Sequence, residues 1–143
     1  MVSKKDLEKK LLAIIRVRGR ANVRRSISET LNRLNLRRVN NLVLVFGQGQ
    51  SIGMIKKCTD YIAYGEIDKA TLGALNAAKG LGLDDEKIEG MLSGKIPPGE
   101  VLSLPIRMKP PKHGYKSIKR NVNDGGSLGY NGAGINNIIK RML

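Results

Sequence analysis

Leu11-Leu12-Ala13-Ile14-Ile15-Arg16-Val17-Arg18-Gly19-Arg20 decides the fold of this chain, because it reads as a core strand and a binding surface at once. A strand turns alternate side chains to opposite faces. Ala13, Ile15 and Val17 then point one way, while Ile14, Arg16, Arg18 and Arg20 point the other. The pattern predicts one apolar face and one row of guanidinium groups. Arginine is always charged and its planar fork of donors fits phosphate oxygens, so such a row suits a polyanion. A solvated strand face is the alternative that this stretch alone leaves open.

Outward from the strand, Gly19-Arg20-Ala21-Asn22 reads as a turn with Asn22 as a helix N-cap. Val23, Ile27, Leu31 and Leu34 follow at helical spacing. Arg24 and Arg25 fall in the first turn of that helix, where its dipole disfavours cations and a nearby anion would suit them. Asn41 to Phe46 reads as a second strand, buried on both faces over part of its length. Gly47 to Gly53 is glycine-rich, but the dinucleotide fingerprint fails because Ile52 stands where glycine is required, and no Gly-Lys-Ser/Thr is present. It is expected to be a flexible, hairpin-like excursion. Ser51 can cap a helix that turns Ile52, Ile55, Cys58 or Thr59, and Ile62 inward, with Lys56 and Lys57 outside.

Tyr61 to Ile67 fits a third strand, and Asp68 caps a helix built on Leu72 and Leu75 that stops at Gly80. Asp84-Asp85-Glu86 opens another helix, with Ile88, Met91 and Leu92 on one stripe and Gly94 at its end. From Pro97 onward the prolines and glycines read as unable to build a packed regular element. Arg107, Lys109, Lys112, His113, Lys116, Lys119 and Arg120 lie there, in what reads as an extended basic arm ordered by docking against something negative. Ile135, Ile138, Ile139 and Met142 form a short apolar helix that would pin the arm back. Four segments result: an N-terminal extension (1–10), a β-α-β-α-β core (11–67), a helical segment (68–96) and the arm (97–143).

The chain's 143 residues suffice for one core, and its net charge of +14 exceeds what solubility needs, which points to a polyanionic partner. The charge is +9 over residues 1–46, −2 over 47–100 and +7 over 101–143. With no Trp and one Phe, an amphipathic membrane-surface helix is disfavoured, and Leu11–Ile15 is too short for a signal-peptide core or a span. A cytosolic location and no membrane partner are expected. Cys58 is the single cysteine, so no intrachain disulfide forms, and it reads as a small core residue.

Catalysis is disfavoured for want of a constellation: His113 is alone in a lysine-rich arm, and no nucleophile elbow, zinc signature or glycine-bounded carboxylate pair occurs. No metal, cofactor or small-molecule substrate is expected. Single-strand readers stack bases on aromatics, of which the chain has few. Major-groove readers present helices in a layout that strands flanking the first helix do not match. Structured RNA is the better partner.

The blocks Ile15-Arg16-Val17-Arg18-Gly19, Leu34 to Asn40, Gly53-Met54-Ile55-Lys56-Lys57 and Asp60 to Ile67 resemble the large-subunit ribosomal protein family L-thirty. The archaeal long form, related to the eukaryotic L-seven proteins, is the better match, since Pro105 to Pro111, Ile118-Lys119-Arg120 and Gly125 to Gly129 are similar to its C-terminal arm. The resemblance implies an α+β fold with ferredoxin-like character, in which a three-stranded antiparallel sheet has the order 3-1-2. It also implies a structural role in the large subunit, contacting rRNA near 5S rRNA and neighbouring ribosomal proteins, without catalysis or cofactor. Arg16, Arg18, Arg37, Arg38, Lys56, Lys57, Arg107, Lys109, Lys119 and Arg120 lie in the matching blocks. Arg20, Arg24, Arg25, Lys112, His113 and Lys116 join the expected RNA-binding set on charge alone. A nonribosomal basic RNA or DNA chaperone is the alternative. If Arg16 and Arg18 both face RNA, replacing them should weaken binding and spare stability.

Overall fold

The computed structural model describes residues 8–19, 23–98, 105–115 and 120–143. Strand β1 (Leu11–Arg16) is the centre of the sheet and every one of its residues is buried. It pairs antiparallel with β2 (Asn41–Phe46), Leu11 opposite Phe46 and Ile15 opposite Leu42. On its other side it pairs antiparallel with β3 (Ile62–Glu66), Leu12 opposite Glu66 and Arg16 opposite Ile62.

Side chains of β1 do alternate, but into two cores. Leu11, Ala13 and Ile15 enter one apolar cluster, joined by Val17 just past the strand's end. Leu12 and Ile14 enter a second, closed by Leu31 of α1 (Arg25–Arg33) and by Ile52 and Ile55 of α2 (Gly49–Lys57). The face expected to carry a row of guanidinium groups is therefore core as far as Ile14. A strand covered on both sides must be apolar on both sides.

Two further strands correct the three-stranded expectation. β4 (Ile106–Arg107) adds antiparallel to β2, and β5 (Gly129–Tyr130) adds parallel to β3. The sheet is five-stranded and mixed, in the order β4-β2-β1-β3-β5, with β1 still between β2 and β3. Both additions come from the stretch read as unable to form regular structure. Two residues suffice for an edge strand when Ile106, Met108 and Leu128 are drawn into the core beside it.

The helices show the same tension between local signal and burial. α1 has Arg24 at its N-cap, with no side-chain cap, and Asn22 lies outside the described residues. α2 starts at Gly49 behind Gln48, so most of Gly47–Gly53 is helix rather than a flexible excursion, Ser51 lies inside it, and Ile62 belongs to β3. Each glycine costs a helix about 1 kcal/mol. Fully burying Ile52 and Ile55 returns roughly 1.5–3 kcal/mol apiece. α3 (Lys69–Lys79) and α4 (Asp85–Ser93) follow their caps as expected. The carboxylates of Asp68 and Asp84 accept the Thr71 and Lys87 N–H groups at 2.7 and 2.8 Å, and left-handed Gly80 and Gly94 end the helices.

Helix α5 (Ile135–Met142) does more than pin an arm. Ile135, Ile138, Ile139 and Met142 are buried in the same cluster as Ala13 and Ile15. Asn136 locks it in place: its Nδ2 donates to the Glu66 and Ala133 carbonyls at 3.1 and 3.0 Å, and its Oδ1 accepts the Asp68 N–H at 3.1 Å. A Cβ on Gly65 would collide with the Gly132 carbonyl and the Ile135 side chain. The described parts of the arm thus complete the folded unit instead of extending from it.

Candidate nucleic-acid interface

Four strand ends meet at one end of the sheet: β1 stops at Arg16, β2 and β3 start at Asn41 and Ile62, and Arg107 pairs with Asn41. The loops that leave these ends carry Arg18, Arg37 and Arg38, and the last turn of α2, just before β3, adds Lys56 and Lys57. Arg37, Arg38, Lys56, Lys57 and Arg107 are exposed and Arg18 is half-buried. Topology has gathered cations from distant points of the chain onto one rim.

Asn35 and Asn40 bracket the α1–β2 loop in left-handed conformation, φ +63° and +67°, which asparagine tolerates better than most residues. Between them Leu36 is fully buried, so Arg37, Arg38 and Val39 stand outward. Arg16 holds this loop. Only 3% exposed, its guanidinium donates to the Leu36 carbonyl at 2.7 Å, the Arg18 carbonyl at 2.9 Å and the Gly19 carbonyl at 3.4 Å. A buried charge is tolerable only when hydrogen-bonded, and here backbone oxygens of two loops do that. The expectation that Arg16 and Arg18 form one exposed row is corrected: Arg16 is a clamp beneath the surface.

Arg18 reaches the rim by a different route. Its guanidinium lies 5.2 Å from the centroid of the Tyr61 ring, close enough for cation–π attraction, and its Nη1 donates to the Asp60 carbonyl at 3.5 Å. Three open clefts adjoin the rim and share Arg37. One of about 440 Å³ is lined by Arg16, Gly19, Arg37, Arg38 and Val39. A second of about 350 Å³ runs past Asn41 to Pro105, and a third of about 280 Å³ reaches Ser28 and Asn32 of α1.

The C-terminal residues of the expected set sit around this rim on folded backbone. The Met108 N–H donates to the Asn40 carbonyl at 3.0 Å, which places exposed Lys109 beside the arginine loop. Tyr115 donates its hydroxyl to Asn40 Oδ1 at 2.8 Å. Lys112 and His113 are exposed on a turn whose Lys112 and Gly114 carbonyls accept Arg141 Nη1 at 3.3 and 2.9 Å. Arg120 is exposed, and its carbonyl accepts the Leu128 N–H at 3.2 Å beside the start of β5. Arg24 and Arg25 are exposed at the start of α1, which has no acidic residue in its first turn, and Arg25 pairs with Glu29 at 3.3 Å. Arg20, Lys116 and Lys119 lie outside the described residues.

Reactive chemistry is poorly served. Cys58 is fully buried, and that burial pushes its thiol up to about 11. Among the described residues no group of three His, Cys, Asp or Glu could hold a metal, and no helix is long and apolar enough to cross a membrane.

The family model of ribosomal protein L30p/L7e matches residues 12–62. Large ribosomal subunit protein uL30 of Thermoplasma acidophilum is similar along nearly the whole chain, 36% identical over 153 aligned residues that cover 93% of each protein. The chain belongs to the uL30 family. The uL30 protein of Nanoarchaeum equitans is 38% identical, with 93% of this chain and 99% of the relative covered. That of Methanocorpusculum labreanum is 34% identical, with 92% and 99% covered.

The span matched by the uL30-family model contains Arg18, Arg37, Arg38, Lys56 and Lys57 of the strand-end rim and the Arg16 clamp beneath them. Sequence reasoning missed Asn40, Tyr61 and Tyr115, which position those cations in this uL30-family chain. Asparagines flanking an Arg-Arg pair are a turn signal that was available. The Arg18–Tyr61 and Tyr115–Asn40 pairings, 43 and 75 residues apart in sequence, leave no local signal.

Proposed function

We propose that this chain is a structural constituent of the large ribosomal subunit in the cytoplasm, where it binds folded rRNA through phosphate and shape contacts and touches neighbouring ribosomal proteins. One observation carries the reading: Arg18, Arg37, Arg38, Lys56, Lys57 and Arg107 converge on one end of the sheet in a uL30-family chain. Cations on a rigid rim can neutralise phosphates from separate RNA segments and hold them together. Lys109, Lys112, His113 and Arg120 extend the contact along the C-terminal residues, with Arg20, Lys116 and Lys119 by charge. Arg24 and Arg25 offer a further anion contact at the α1 terminus. Arg16 serves by positioning the loop, not by meeting RNA as part of an exposed row. Proximity to 5S rRNA belongs to this proposal through the family resemblance.

Filter binding of the full chain to large-subunit rRNA across a salt series tests it. Each neutralised phosphate contributes about −0.9 to the slope of log affinity against log salt, so the six rim cations alone predict a slope of roughly −5, and the further contacts make it steeper. A shallow slope would contradict binding through the rim cations, and equal affinity for unrelated DNA would favour the nonribosomal chaperone instead.

A further inference from the structure

Val39 is the exposed large apolar side chain among the described residues, 40% exposed, and it stands on a rim otherwise made of cations. Gly19 lies beside it. A Cβ added to Gly19 would sit 4.0 Å from Val39 Cγ2, an ordinary contact, and Gly19 has no left-handed backbone that would require glycine. The described fold would therefore accept a side chain that covers Val39, yet none is there. Together they floor the open cleft of about 440 Å³ whose other lining residues are Arg16, Arg37 and Arg38.

We propose that this cleft receives a single unstacked nucleotide of the bound RNA, its base against Val39 and Gly19 and its phosphate within reach of Arg37 and Arg38. The inference rests on the rRNA-binding reading above and adds the state of the RNA it selects. A paired base has both faces covered by its stack, so an exposed valine gains nothing from a regular duplex. An extruded base offers a bare face, which gains by apolar burial against a valine, and edges and a face that guanidinium planes can cover. The site is preformed, because Arg16 fixes the Leu36 carbonyl below it and left-handed Asn35 and Asn40 set the loop's ends. A single valine among arginines is too small an apolar patch for a protein interface, and its charge suits a phosphate-bearing partner.

The test is competition. Full chain bound to large-subunit rRNA is challenged with a short RNA duplex, either fully paired or carrying one unpaired nucleotide, with each base in turn. The unpaired nucleotide is expected to improve competition about fivefold, the gain from burying a few tens of Å² of apolar surface. Val39→Ser and Gly19→Leu should each abolish that advantage with unchanged melting temperature and unchanged salt slope, because an apolar contact releases no counterions. Equal competition by the two duplexes, or an advantage that survives both substitutions, would overturn the proposal. Failure of the unaltered chain to bind rRNA at all would instead overturn the reading beneath it.

Discussion

The Arg16 guanidinium donates to the Leu36 carbonyl at 2.7 Å across twenty residues of sequence, joining the end of β1 to the loop that carries Arg37 and Arg38. Its neighbours at the same guanidinium are the Arg18 and Gly19 carbonyls. Removing it leaves three buried or half-buried carbonyls short of a donor. Arg16→Ala is expected to destabilise the chain by about 3 kcal/mol, read by thermal or urea unfolding. Arg16→Lys should recover only part of that, because an ammonium cannot reproduce the planar fork. Stability equal to the parent chain would refute the clamp.

Arg37 and Arg38 should behave in the opposite way. Both are exposed, so Arg37→Ala with Arg38→Ala is expected to shift stability by no more than about 0.5 kcal/mol per site. The slope of log rRNA affinity against log salt should become shallower by about 2 units. An unchanged slope would remove this loop from the RNA interface.

The contrast between these arginines shows what sequence can and cannot tell. Alternation along β1 correctly separates Ile15 from Arg16, but it says nothing of where the covering layer ends, and Arg16 falls just inside it. Asp68, Gly80, Asp84 and Gly94 were legible because capping is local chemistry. β4 and β5 were not, since two residues cannot show a period and their partners Asn41 and Ala63 lie far away in sequence. The start of α2 was hidden by glycines whose helical state comes from burial of Ile52 and Ile55 rather than propensity. The exposed cations were legible as charges; the strand ends that gather them were not.

Helix α5 supplies a test of the C-terminal half. Asn136→Ala removes two donated hydrogen bonds and the acceptor for the Asp68 N–H, a loss expected to be about 3 kcal/mol. Hydrogen exchange should quicken in both α5 and β3. Fast exchange confined to α5 with global stability intact would mean the helix is an appendage after all.

Alkaline pH probes the Tyr115–Asn40 link. Burial raises the Tyr115 phenol from 10.0 to about 12, so the folded chain holds that proton where the unfolded chain releases it. Stability is untouched below pH 10 and falls as pH rises from 10 towards 12, by about 1–2 kcal/mol from this half-buried group once solvent screening is allowed for. Tyr115→Phe should cost about 1 kcal/mol at neutral pH and flatten the alkaline loss. The flattening is partial, because burial also raises Tyr64 and Cys58. An alkaline limb identical in the two proteins would contradict the half-buried position of Tyr115.

A chain that works as part of the large ribosomal subunit and is held there mainly by charge should follow the subunit until salt strips it off. Sedimentation of native extract through sucrose gradients at low and at high salt reads this. Co-migration with the large subunit at low salt is expected, with release only under stringent salt. A chain found solely at the top of the gradient at low salt would contradict it.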